Sequence, residues 1–100
     1  MKQTPQTAEA VWLSLFGEST RLVIIRALAT GDKNVTALAK GCGTEVVNVS
    51  HHLRLMAKAG LLTSVRDGRN VVYSLVGARA AGGQLEFAHE SGTRLFVSLH

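Results

Sequence analysis

The chain has 100 residues, 46% of them hydrophobic and 18% charged, with a formal net charge of +4; one domain of this size buries roughly 60–70% of its unfolded surface without staples. No apolar run approaches the ~20 residues of a membrane span, and the N-terminus lacks the apolar core and cleavage site of a signal peptide; a single cysteine, Cys42, excludes an intrachain disulfide and suits a reducing cytoplasm. The charge is localised: residues 33–69 hold Lys33, Lys40, Arg54, Lys58, Arg66 and Arg69 against Glu45 and Asp67, the whole of the excess, which suggests a face for a polyanion.

Thr4-Pro5 reads as a helix start, with Thr4 as N-cap and Pro5 in the first helical position. Ala8, Val11, Trp12, Leu15 and Phe16 then form a helical stripe that Gly17 ends. Such a bulky first helix, residues 1–17, is either a subunit interface or ordinary core, and Val11, Trp12, Leu15 and Phe16 are the candidate dimer contacts. A second helix starts near Ser19 or Thr20 and runs to Thr30-Gly31. Its Leu22-Val23-Ile24-Ile25 run is apolar all round, so it is expected to be the most buried helix.

Asn34 can cap a short helix carrying Val35, Leu38 and Ala39; Gly41-Cys42-Gly43 then makes a tight turn into a longer helix, residues 44–60. Short helix, glycine turn and longer helix, residues 34–60, form a helix-turn-helix pattern, with Cys42 read as a small buried hydrophobe. In the longer helix, capped by Thr44, Val46, Val49, Leu53 and Met56 recur at spacings that stack them into one buried stripe. Asn48, His51, Arg54 and Lys58 fall on the opposite side with Ser50 beside them. Almost all of these can donate a hydrogen bond or carry positive charge, and none is acidic. Such a face suits the DNA major groove, although a merely solvated amphipathic helix would look similar. Gly60 stands where helices commonly end in a left-handed residue.

After Gly60 the period falls to two. Leu62-Thr63-Ser64-Val65-Arg66 and Asn70-Val71-Val72-Tyr73-Ser74-Leu75 read as strands joined by Asp67-Gly68, a tight-hairpin signal with Arg66 and Arg69 beside the turn. This hairpin, residues 61–75, makes a cationic wing. Residues 76–83, rich in glycine and alanine, read as a linker. Residues 84–99 read as a second hairpin: with Glu90-Ser91-Gly92 as a three-residue loop and Gly92 left-handed, Leu85, Phe87, Leu95, Val97 and Leu99 share one face. The fold class is therefore α+β, one winged helix-turn-helix domain over 1–100, with four helices, a wing and an added C-terminal hairpin.

Ser19-Thr20-Arg21-Leu22, Ile25 and Leu28; Val35, Leu38 and Ala39; Val49-Ser50-His51-His52-Leu53, Met56 and Ala59-Gly60-Leu61; and Arg66-Asp67-Gly68-Arg69 with Tyr73-Ser74-Leu75 stand in a distinctive spacing. On these residues the chain, from Leu15 to Leu75, resembles the ArsR/SmtB family of small bacterial winged-helix repressors. The resemblance implies a homodimer that binds an inverted-repeat operator in double-stranded DNA and is released by an inducer, commonly a metal ion. It implies groove-facing positions at Val46, Val47, Asn48, Ser50 and His51, wing contacts at Arg66 and Arg69, and a structural His52. Arg54 and Lys58 then fall to phosphates.

The chain departs from the family where metals are held. Asn34 and Thr36 stand near the place of a Cys-x-Cys pair. Gly77-Ala78-Arg79-Ala80 stands where the family has an Asp- and His-rich helix after the wing. His89 and His100 are placed at opposite ends of the proposed hairpin, roughly 20 Å apart at about 3.3 Å per residue. No cofactor is expected, since a metal ion would find no complete ligand set within one subunit. The leading functional expectation is a cytoplasmic, dimeric transcriptional repressor. The alternative is a protein-interaction module on a winged-helix scaffold, motivated by Val46, Val47 and the apolar C-terminal hairpin. An enzyme is the weakest reading, for there is no nucleophile–base–acid set and no phosphate loop.

Overall fold

The computed structural model describes residues 7–99. Helix α1, Ala8–Ser14, passes through a 3-10 turn at Leu15–Gly17 into α2, Ser19–Leu28. A two-residue strand β1, Lys33–Asn34, precedes α3, Val35–Cys42, and α4, Val46–Lys58. The strands β2, Leu62–Asp67, and β3, Asn70–Leu75, then form the wing, and β4, Ala78–Ala81, β5, Gln84–Ala88, and β6, Arg94–Ser98, complete the chain. The two antiparallel sheets are ordered β1-β3-β2 and β4-β5-β6. The α+β winged helix-turn-helix expected from the sequence is therefore present. Among the described residues no helix is long and apolar enough to cross a membrane.

Local chemistry sets the helix ends. The expected start at Thr4-Pro5 lies outside the described residues; α1 is capped by Thr7, whose hydroxyl accepts from the Ala10 N–H at 3.0 Å. Glu18 caps α2, its carboxylate accepting from the N–H groups of Thr20 at 3.1 Å and Arg21 at 2.8 Å. Asn34 caps α3 as expected, accepting from the Ala37 N–H at 2.8 Å. The cap of α4 is Glu45 and not Thr44, with no side-chain capping bond; the Thr44 hydroxyl instead accepts from the Asn48 side-chain amide at 3.2 Å. Gly60 closes α4 in the left-handed region, φ +83°, as its position suggested.

One core joins the helices to the second sheet. Ile24, Ile25, Leu28, Leu38, Val49, Leu53, Met56 and Leu61 meet Trp12, Leu15 and Phe16, and these in turn pack on Leu85, Phe87 and Val97. The rings of Phe16 and Phe87 meet edge to face at 5.0 Å, as do those of Trp12 and Phe16. Two polar ties reinforce the contact: Arg26 Nε donates to the Ser98 carbonyl at 2.9 Å, and the Glu9 carboxylate accepts from Ser91 at 2.8 Å and also from Thr93. These two bonds hold the Glu9 carboxyl below its usual range.

Several expectations need correction. Trp12, Leu15 and Phe16 are buried in the chain's own core, the packing alternative for the first helix, with the Phe16 ring against Phe87 of the second sheet. Of the expected dimer contacts only Val11 stays partly exposed. Val23 is 41% exposed, so α2 is not buried all round. Val46 leaves the expected buried stripe, being 43% exposed, since the first turn of α4 projects past the core.

The wing turn is Gly68-Arg69, one residue later than expected, with Asp67 paired to Asn70. Its first central residue needs the positive φ (+62°) that glycine takes without strain. The expected linker contains a strand, β4. Alanine and glycine gave it little strand signal, but Gly82-Gly83 is a two-residue hairpin turn that pairs Ala80 with Leu85 and sets Ala78 opposite Phe87, where it packs on the core. The second hairpin keeps the expected register. Leu85 pairs with Val97 and Phe87 with Leu95, and Gly92 is left-handed at φ +98°.

Candidate nucleic-acid interface

The basic face of α4 is open. Val47 is 79% exposed, and Asn48, His51, Arg54 and Lys58 are exposed with it, while Ser50 is half-buried. The helix stands on Val49, Leu53 and Met56, which have no exposure at all, so its outward side chains project from a fixed base. With no side-chain cap on the first turn, backbone N–H groups there are left for solvent or a phosphate oxygen. Asn48 is pre-positioned by its bond to Thr44, a partner the sequence reading took for the helix cap.

His51 and His52 diverge. His51 is exposed, whereas the His52 ring turns inward, its Nδ1 3.3 Å from Arg21 Nη1 and 3.8 Å from Glu18 Oε2. As acceptor from Arg21, Nδ1 puts the ring proton on Nε2. Arg21 is anchored in turn by donating from Nε to the Leu15 carbonyl at 2.9 Å. This cluster fastens α4 to the start of α2, in keeping with a structural His52. The Glu18 carboxyl is held below its usual range, first by the backbone N–H groups of Arg21 and Thr20.

The wing is equally open: every residue from Thr63 to Asn70 is exposed, including Arg66 and Arg69. Strand β1 was not foreseen, for two residues leave no periodicity to read. It pairs Lys33 with Tyr73 and Asn34 with Val72, which ties the wing's second strand to the start of α3. Lys40 lies exposed in the last turn of α3, a further cation of the same half of the domain that the sequence counted but did not single out. Cys42 is half-buried, and burial pushes its thiol pKa up, the behaviour of a small packed side chain rather than a reactive one. Among the described residues, no three His, Cys, Asp or Glu side chains converge.

A family model for a helix-turn-helix domain matches residues 16–65. The chain is 39% identical over 69 residues to the HTH-type transcriptional regulator NmtR of Mycobacterium tuberculosis (strain ATCC 25618 / H37Rv), covering 69% of this chain and 58% of that protein. The chain thus spans under two thirds of the length of that relative. Among solved structures it is similar to a possible transcriptional regulator for arsenical resistance, with 34% identity, a TM-score of 0.63, and coverage of 65% of this chain and 68% of the other. In fold it is also similar to the homodimeric winged helix-turn-helix DNA-binding domain (fragment 1–100) of a possible ArsR-family regulator from Mycobacterium bovis. There the identity is 24%, the TM-score 0.67, and the coverage 75% and 77%.

Proposed function

Because the chain belongs to the ArsR family of winged helix-turn-helix transcriptional regulators, a non-enzymatic class, we propose that it is a cytoplasmic, dimeric repressor that binds an inverted-repeat operator. In this reading α4 enters the major groove. Val46, Val47, Asn48, Ser50 and His51 meet base edges, and Arg54, Lys58, Arg66 and Arg69 hold phosphates. Asn48 is suited to adenine and the two valines to thymine methyl groups. A dyad would set two copies of α4 about one DNA turn (~34 Å) apart. The observation that carries the reading is the exposure of Asn48, His51 and Arg54 on a helix whose other side is fully buried, in the same domain as an exposed arginine-bearing wing.

The test is the salt dependence of binding to a labelled duplex. Each phosphate contact contributes about 0.9 to the slope of log affinity against log salt. The double variant Arg66→Ala/Arg69→Ala should therefore lower the slope by roughly 2. An unchanged slope would remove the wing from the account. The exposure of Val47 at 79% and Val65 at 65% favours, as a second reading, a protein-binding module on the same scaffold. Binding to duplex or heparin that ignores salt would support that reading instead.

A further inference from the structure

The last turn of α4 forms one wall of an open groove of about 720 Å³, with α1 opposite and the loop between β5 and β6 at one end. This volume lies within the range of small-molecule sites. Val11 and Leu55 give it apolar walls, and Leu55, 41% exposed, is otherwise a leucine left facing solvent. The polar lining is mostly cationic or hydrogen-bond-donating: Arg21, Lys58 and His89, against the single acid Glu90. Arg21 uses three N–H donors on Leu15, Ser14 and His52, which leaves two of the guanidinium's five. Lys58 has no carboxylate partner among the described residues. The His89 ring is held by Ser91, its Nδ1 lying 3.1 Å from the backbone nitrogen and 2.9 Å from the hydroxyl oxygen.

We propose that this groove binds a small amphipathic carboxylate, its apolar body between Val11 and Leu55 and its anionic head at Lys58 and Arg21. Apolar walls alone would accept any hydrophobe; unpaired donors at the edge select for negative charge. Occupancy has a consequence that rests on the DNA-binding reading above. Lys58 is also assigned to a DNA phosphate, so a bound anion competes for its charge and releases the duplex.

Trp12 is the only tryptophan, and its ring lies 5.1 Å from that of His89 at the groove's end, so its fluorescence reports occupancy. The experiment titrates the full chain with octanoate, and separately with octylamine and octanol. Octanoate should give a saturable change and bind roughly tenfold more tightly than either, about the worth of one charge-assisted hydrogen bond. Leu55→Glu, at a solvent-facing position, should abolish the response while leaving the urea midpoint close to wild type. Octanoate should also weaken duplex binding by the wild type but not by L55E. Equal affinity for octylamine, no saturable response to octanoate, or a response unchanged in L55E would overturn the proposal. So would an octanoate affinity that falls as protein concentration rises, since a second copy would then be seated in the groove. Saturable, charge-selective octanoate binding by a protein that binds no duplex would uphold the groove and sink the regulator reading instead.

Discussion

Truncating Phe87 to alanine tests whether the C-terminal sheet is part of the winged-helix core. Phe87 has no exposure, and its ring meets Phe16 edge to face at 5.0 Å, so its removal leaves a cavity between the sheet and the 3-10 turn after α1. Buried phenylalanine-to-alanine changes cost about 3–5 kcal/mol, and the lost edge-to-face pair puts this site in the upper half of that range. A domain of this size has roughly 5–15 kcal/mol to lose, so the variant should remain folded at 25 °C but melt roughly 15–30 °C lower. Phe96→Ala is the control: it lies on the outer face of the same sheet, 57% exposed, and should cost less than about 1 kcal/mol. Urea unfolding followed by both circular dichroism and Trp12 fluorescence supplies the numbers. Equal losses in the two variants, or wild-type transitions that do not coincide between probes, would show the sheet to be an appendage that unfolds alone.

Gly77→Ala should destabilise by more than about 1 kcal/mol, because φ there is +70° and an added Cβ would stand 2.9 Å from the Ala88 carbonyl oxygen; Gly17→Ala, in open space, should change the urea midpoint little. Glu18 and Glu9 have carboxyl pKa values below the ordinary 4.5, so the stability they confer is complete above that value and is lost as pH falls through their lowered folded values. Glu18→Gln should therefore flatten the acid limb of a stability-against-pH curve, and an unchanged limb would assign the effect elsewhere. Asn48→Ala should change which duplex variants compete best while leaving the salt slope near wild type; a uniform loss across sequences would make Asn48 a backbone contact.

What the sequence made legible was whatever repeats. The stripe of α4 from Val49 onward, the wing and the register of β5 with β6 all rest on a period of 3.6 or 2 sustained over several residues, or on a glycine at a fixed offset. The turn into α4 falls later than expected: Gly41 and Cys42 still belong to α3, and only Gly43, left-handed at φ +65°, ends it. What stayed hidden depends on contacts between distant segments. Strand β1 exists because Lys33 and Asn34 pair with Tyr73 and Val72. β4 offers only alanines and one arginine, and it is a strand because it pairs with β5. Trp12 and Phe16 showed a bulky apolar helix face, but only the fold shows that Phe87 covers it. In the candidate interface, the exposure of Asn48, His51 and Arg54 followed from helical spacing. The Thr44–Asn48 bond did not, since it depends on the cap falling one residue later, at Glu45.

Selection of bound sites from a pool of random duplexes by the purified chain at moderate salt is the most direct test of a dimeric, sequence-reading repressor. Two copies of α4 related by a dyad should enrich a two-fold symmetric consensus with half-sites about ten base pairs apart, centre to centre. Retention of the pool without enrichment, or a consensus lacking symmetry, would contradict a dimeric, sequence-reading repressor.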